Sequence, residues 1–335
     1  MFARFMGDQV PLIIVTGFLG AGKTTMLNRV LGAPHGRRIG VIINELGRID
    51  IDTRLIKSRA GDVMELVGGC VCHEVRVQSE LWAAVGEVVA RSQPEVMILE
   101  TTGIAEPWAI LDGLDALPRR TAPVTAGAVV CVVDAEVGAR QLERHEEARA
   151  QVEAADRILL SKLDLASPER IVEIHRLLAQ RNADAERAGF PAGAEGTTAL
   201  CPWLLDVGER AGSATRARAA HAGDPASDGD GPHAPPHAHG QLVAVAYSDD
   251  APLLAEPLLQ VCERLGPDLV RAKGFVHLAG ESRRGFLERA GARTSLVQGD
   301  LWGADPRRTE LVLIGDGLDA DAIRRQLWAC RARSG

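Results

Sequence analysis

Gly17-Phe18-Leu19-Gly20-Ala21-Gly22-Lys23-Thr24-Thr25 has the spacing G-x-x-x-x-G-K-[ST], directly after the apolar run Leu12-Ile13-Ile14-Val15. Glycines at these positions let backbone N–H groups turn inward around phosphate oxygens. The N-terminus of the following helix adds its partial positive charge. Lys23 is a compact ammonium that reaches β- and γ-phosphates, and the Thr24 hydroxyl is a hard oxygen ligand for Mg²⁺. The reading assigns nucleotide contact to Gly17, Gly20, Ala21, Gly22, Lys23, Thr24 and Thr25. The chain has four lysines (Lys23, Lys57, Lys162 and Lys273) against 34 arginines. A lysine therefore marks a place where a planar guanidinium is a poor substitute for an ammonium.

Ser161-Lys162-Leu163-Asp164 follows the apolar run Arg157–Leu160 and resembles the guanine-reading N-K-x-D motif of GTPases. The Asp164 carboxylate can accept from guanine N1–H and the 2-amino group, which adenine does not offer together, while the Lys162 stem lies along the base. Ser161 replaces the usual Asn and removes an amide able to buttress the loop. Glu100-Thr101-Thr102-Gly103 ends the run Val96–Leu99. Glu100 there can hold the Mg²⁺ water shell or orient an attacking water, and the Gly103 N–H can sense a γ-phosphate. Lys23, Glu100 and Gly103 are thus the expected catalytic residues, and Thr24 and Glu100 the magnesium residues. A helix N-cap before Glu106-Pro107 is the plainer explanation of the same stretch, and the two are compatible.

Gly68-Gly69-Cys70-Val71-Cys72-His73 puts three soft or borderline ligands within four residues. Thiolates and imidazole suit Zn²⁺ or another late transition metal. One short motif supplies too few ligands for a closed structural site, so Cys70, Cys72 and His73 read as an open site completed elsewhere, with Glu45 as the further ligand. Cys131, Cys201, Cys262 and Cys330 are isolated and read as core or surface thiols. His221, His233, His237 and His239 gather between Gly208 and Gly240. They read either as a metal-collecting tether or as low-complexity drift.

The elements that must position these groups follow from periodicity. Continuously apolar strands (Pro11–Val15, Ile39–Ile43, Val96–Leu99, Ala126–Val133 and Arg157–Leu160) alternate with helical stretches near Thr24–Leu31, Arg76–Arg91, Pro107–Leu114, Ala139–Ala154 and Pro168–Gln180. That pattern predicts a doubly wound, mostly parallel α/β sheet of P-loop type over residues 1–207. Small, polar and proline-rich residues predict a flexible His-containing linker over 208–240. Strands Gln241–Tyr247, Leu269–Leu278, Thr294–Val297 and Glu310–Ile314, with helices Leu253–Leu265 and Asp319–Cys330, predict a smaller α+β domain over 241–330.

Composition limits the function classes. The 335 residues carry a net charge of −7, with 46% apolar and 25% charged residues. Collagen, coiled coil and wholesale disorder are out, and a general nucleic-acid binder is disfavoured. No apolar run reaches the roughly 18 residues of a membrane span. Residues Met1 to Val10 lack a secretory pattern. Six cysteines are too sparse for a disulfide scaffold. The expectation is a cytoplasmic protein with reduced thiols.

Val15–Thr25, Ile43-Asn44-Glu45-Leu46-Gly47, Gly69–Cys72 and Glu100–Gly103 together resemble the CobW-type metal-handling GTPases. These are related to the nickel-insertion GTPases within the SIMIBI class. Arg271–Phe275 and Leu311–Leu318 resemble that family's carboxyl-terminal domain. The chain departs from the family pattern at His73, where Cys-x-Cys-Cys is usual, and at Arg48, where many members carry an acid. The resemblance implies a GTP-hydrolysing metallochaperone that uses GTP and Mg²⁺, binds Zn²⁺ or Co²⁺, and releases it to a client metalloprotein. Client or homodimer contacts would complete the site, and cobalamin-related cobalt handling, zinc homeostasis and metalloenzyme activation are its possible pathways. A P-loop small-molecule kinase without a metal role is the alternative, and a scaffold that merely retains nucleotide is a third reading.

Overall fold

The computed structural model describes residues 9–45, 63–67, 75–117, 123–191, 193–207, 242–290, 293–303 and 305–332, with residues 44–45, 63–67, 75–80 and 290 described by their backbone. These form two compact units, the first running to Val207 and the second starting at Leu242.

In the first unit, strands β1 (Val10–Thr16), β2 (Ile39–Glu45), β3 (Val63–Val67), β4 (Val96–Glu100), β5 (Val124–Asp134), β6 (Arg157–Ser161) and β7 (Glu186–Gly189) form one sheet in the order β3-β2-β4-β1-β5-β6-β7. Every neighbouring pair is parallel. Helices α1 (Lys23–Gly32), α2 (Val75–Ser92), α3 (Pro107–Asp115), α4 (Gly138–Arg144), α5 (Glu146–Glu153), α6 (Pro168–Arg181) and α7 (Gly193–Leu205) complete it.

The continuous apolar runs have a direct physical cause. Ile13 and Val15 of β1 join one core with Met26, Leu27 and Val30 of α1 and Leu200 and Leu204 of α7. Leu12 and Ile14, one step along, join a second core with Leu81 and Val85 of α2 and Ile110 and Leu114 of α3. Side chains alternate faces along a strand, so a strand covered on both sides must be apolar at every position. Each such side chain contributes about 1.5–3 kcal/mol when fully buried. Strand β1 lies between β4 and β5, where the order changes direction, and its carboxyl end opens into the glycine loop before α1. Ligands of open α/β sheets bind at such a point.

Three departures from the expected elements are informative. The stretch expected as one helix over Ala139–Ala154 is two, α4 and α5, because His145 takes an extended backbone (φ −118°, ψ 125°). Helix α7 is additional, with glycines at both ends of its first turn and Pro202 inside. Proline costs about 3 kcal/mol in a helix interior, and burial of Leu200, Cys201, Leu204 and Leu205 outweighs it. Strand β7 (Glu-Arg-Ala-Gly) and strand β3 are also additional, both short edge strands of the sheet.

In the second unit, β8 (Leu242–Asp249), β9 (Leu269–Val276), β10 (Arg283–Ala290), β11 (Arg293–Leu301) and β12 (Thr309–Asp316) form an antiparallel sheet in the order β11-β10-β9-β12-β8. Helices α8 (Ala255–Leu265) and α9 (Ala320–Ala329) supply Leu258, Val261, Ile323 and Leu327 to its core. Strand β10 is the element missing from the sequence reading, because four of its eight residues are charged. One of those charges is buried. Arg289 donates to the carbonyls of Leu269 (3.0 Å), Cys262 (3.2 Å) and Gly266, and to the Thr294 hydroxyl. Residues 208–240, expected as a linker, lie outside the described residues.

Candidate functional site

The glycine loop between β1 and α1 is built by backbone shape. Gly17 has φ 136°, a conformation open to glycine, and a Cβ on it would lie 2.2 Å from the Val132 carbonyl oxygen. Gly20 and Gly22 hold φ 76° and 98°, and Ala21 N–H closes the turn onto the Phe18 carbonyl at 3.1 Å. Lys23, buried, donates from Nζ to the Gly17 carbonyl at 2.6 Å and the Phe18 carbonyl at 3.4 Å. An ammonium held among carbonyls of a glycine turn suits a phosphate, which the same loop can wrap with N–H groups. Thr25, two residues on, is exposed.

Thr24 and Glu100 meet. The Thr24 hydroxyl donates to Glu100 Oε1 at 2.7 Å, and Glu100 is 4% exposed at the tip of β4. A hydroxyl and a carboxylate are both hard oxygen donors, so the pair fits Mg²⁺. The loop beyond Glu100 runs back to the glycine loop. Thr101 N–H bonds the Val15 carbonyl at 2.9 Å. Gly103 lies so close to Leu19 that a Cβ would fall 2.6 Å from Leu19 Cδ2 and 2.8 Å from Leu19 Cα. Glycine here is a requirement of space.

The Ser161–Asp164 turn is fastened to the same loop. Ser161 Oγ, buried, donates to the Ala21 carbonyl at 2.6 Å. The hydroxyl thus provides the buttress whose loss the missing Asn amide led us to expect. Lys162, with the unusual φ of 54°, donates from Nζ to the Gly20 carbonyl at 2.8 Å and pairs with Asp134 Oδ2 at 2.8 Å. Asp164 is exposed. Asp134 was not anticipated from the sequence. It ends β5, is 2% exposed, and its Oδ1 also accepts from Glu136 N–H (2.8 Å) and Val137 N–H (3.3 Å). Its sequence signal was an acid closing a long apolar run, Val129–Val133.

Gln141 and Gln151 were likewise missed. Gln141 Nε2 donates to the Leu19 carbonyl at 3.4 Å. Gln151 Nε2 donates to the carbonyls of Gly103 (3.2 Å) and Ala105 (3.1 Å). Polar residues inside a helical stretch carry no pattern that distinguishes a buried clamp from a solvated face.

Cys70, Cys72 and His73 lie outside the described residues, as do His221, His233, His237 and His239. The backbone of Glu45 is described: it ends β2 and pairs with Val67, the last residue of β3. The chain continues from Val67 directly into Gly68–His73. Ile43, two residues before Glu45, pairs with Glu100. Among the described residues, no group of three His, Cys, Asp or Glu side chains is disposed to hold a metal. Cys131, Cys201, Cys262 and Cys330 are buried free thiols. Burial pushes Cys131 up to about 12 and Cys262 up to about 11, so neither is a ready thiolate. Among the described residues, no helix is long and apolar enough to cross a membrane.

Comparison with known proteins adds the following. A sequence profile of the CobW/HypB/UreG nucleotide-binding domain matches residues 11–188, and one of the cobalamin synthesis protein CobW C-terminal domain matches residues 242–331. The zinc chaperone CobW of Pseudomonas aeruginosa is 31% identical over 358 residues, covering 95% of this chain and 91% of that protein. The zinc chaperone YjiA of Escherichia coli is 28% identical over 326 residues, covering 95% and 97%. The crystal structure of Zn(II)-bound YjiA GTPase from E. coli is 24% identical with a TM-score of 0.43, covering 97% of this chain and 100% of that one.

Proposed function

The chain belongs to the CobW/HypB/UreG family of nucleotide-binding proteins, and on that premise we propose that it is a GTP-hydrolysing metallochaperone. In this reading it binds a transition metal at Cys70, Cys72 and His73, with Glu45 as a further ligand, and delivers it to a client metalloprotein. The names of its relatives favour zinc as the cargo. Cobalt is the second metal that the donor set accommodates. Reduced thiols are required, which suits the cytoplasm. The domains assigned to this work are the GTPase over 1–207, the His-containing linker over 208–240 and the carboxyl-terminal module over 241–330.

The observation that carries the reading is the register of neighbouring strand ends. Glu100, in contact with Thr24, pairs with Ile43, and two residues later Glu45 pairs with Val67 at the entrance to the thiol motif. Two strand steps therefore connect the phosphate loop to the metal motif. Each residue then has a task. Lys23 and the loop N–H groups bind the phosphates, and Lys162 and Asp164 read guanine. Thr24 and Glu100 hold Mg²⁺, which when bound neutralises charge on the β- and γ-phosphate oxygens. Glu100 orients the attacking water, and Gly103 reads the γ-phosphate. Loss of that phosphate releases the loops around Gly103 and Glu45, and metal affinity falls with them. A nucleotide-dependent homodimer or the client completes the site.

The test is metal analysis and nucleotide turnover of untagged protein, beside Cys72→Ala. The expected result is about one zinc per chain, lost in Cys72→Ala, with phosphate released from GTP and not from ATP. Equal turnover of ATP, or metal retained in Cys72→Ala, would contradict the proposal.

A further inference from the structure

Gln151 lies on α5 with no exposure to solvent. Its Nε2 group meets two carbonyls of the loop that follows β4, Gly103 at 3.2 Å and Ala105 at 3.1 Å. On α4, Gln141 donates to the Leu19 carbonyl at 3.4 Å. Leu19 of the phosphate loop and Gly103 of the β4 loop touch, close enough that a Cβ on Gly103 would lie 2.8 Å from the Leu19 Cα. Consecutive helices thus hold the carbonyls on both sides of one contact. Between those helices, His145 stacks on Phe18 of the phosphate loop, with ring centroids 4.5 Å apart and planes at 24°.

A primary amide suits this place. Its two N–H groups satisfy two buried carbonyls without bringing a charge that would need a counter-ion. It also carries a cost, because Gln151 Oε1 is buried with no hydrogen-bond partner. A side chain that merely filled the space would be apolar and would not incur that cost. The amide is there for its donors.

We propose that Gln151 is a positioning residue for GTP hydrolysis. It holds the Gly103–Ala105 segment against Leu19, so that movement of the β4 loop with nucleotide state is passed to α5. The inference rests on the reading of Gly103 as the γ-phosphate sensor. It predicts that removing the donors uncouples hydrolysis from binding.

The experiment compares wild type, Gln151→Met (similar length, no donors) and Gln151→Glu (similar shape, donors replaced by oxygens). Thermal unfolding, GDP affinity, kcat, KM and the GTPγS-to-GDP affinity ratio are measured for each. The expected result is GDP affinity within about twofold of wild type, kcat lowered about tenfold or more, and a collapsed GTPγS-to-GDP ratio. Folded variants with wild-type kcat and ratio would overturn the proposal. Should either variant fail to fold, hydrogen exchange on wild-type protein decides. Protection of α5 that differs between the GDP and GTPγS complexes supports the linkage, and protection that is the same in both overturns it. Wild type that neither hydrolyses GTP nor distinguishes GTPγS from GDP would defeat the GTPase reading and this inference together. An active wild type with indifferent variants defeats this inference alone.

Discussion

Asp134 and Lys162 form a 2.8 Å ion pair, and the Lys162 ammonium also reaches the Gly20 carbonyl at 2.8 Å. The carboxylate is buried and held from behind by the Glu136 and Val137 N–H groups. The proposed base-reading turn and the phosphate loop are therefore one mechanical piece. Asp134→Asn keeps an oxygen for the N–H groups but removes the charge opposite Lys162. Loss of a charged hydrogen bond at a partly exposed pair costs about 2 kcal/mol. We expect GDP affinity to fall by about tenfold or more, measured by fluorescent-nucleotide titration. Unchanged affinity in a folded variant would remove Asp134 from the site.

Asp164 is the residue assigned to the guanine edge, and it is exposed in the turn after β6. A carboxylate accepts from the N1–H and 2-amino group of guanine, whereas an amide can donate to the 2-oxo group of xanthine. Asp164→Asn should therefore lower GTP affinity and raise XTP affinity, each by about 1–3 kcal/mol. Competition titrations with GTP, XTP and ATP check this. Equal losses for GTP and XTP would mean that Asp164 does not face the base.

Gly103→Ala tests the contact between the two loops. The new methyl would meet Leu19 backbone at 2.8 Å, so one loop must shift. Overpacking of this kind costs about 1–3 kcal/mol of stability. We expect a lowered melting temperature and kcat reduced at least about tenfold, with GDP affinity nearly retained. A variant with wild-type kcat would show that the Gly103 loop is not part of the hydrolytic machinery.

The stretches proposed to meet the nucleotide, Gly17–Thr25, Glu100–Gly103 and Ser161–Asp164, stand out in the sequence because each is contiguous, and the fold brings them together. The strands were legible because burial on both faces demands unbroken apolar runs. Asp134, Gln141 and Gln151 were not, since the loop groups they meet lie far off in sequence: Lys162 is 28 residues from Asp134, Leu19 is 122 from Gln141, and Gly103 and Ala105 are 48 and 46 from Gln151. Strand β10 and helix α7 escaped for a related reason. Charges on β10 and Pro202 in α7 contradict local propensity, and tertiary partners decide the outcome. That Ser161 replaces Asn is visible in the sequence, whereas the bond from its hydroxyl to the Ala21 carbonyl, 140 residues away, is visible only in the fold.

In the second unit, Arg331 grips Asp249 through two bonds of 2.7 and 2.8 Å, and Tyr247 donates its hydroxyl to the same carboxylate. Burial acts to raise the Asp249 carboxyl, but these hydrogen bonds outweigh it and hold the group below its ordinary value of 3.8. The folded state thus ionises at lower pH than the unfolded state. Its stabilisation is complete above about pH 4 and is lost as pH falls through the folded value. Asp249→Asn should cost about 2 kcal/mol at pH 7. The gap to wild type should shrink progressively below pH 4 in urea unfolding. A gap independent of pH would assign the loss to packing.

The proposed mechanism couples nucleotide and metal reciprocally, and zinc titration of one protein preparation in its GTPγS and GDP complexes measures that coupling. Zinc affinities should differ by at least about fivefold between the two states, a coupling of about 1 kcal/mol or more. Cys72→Ala should abolish the difference. Identical zinc affinities with GTPγS and GDP bound would contradict the proposed mechanism.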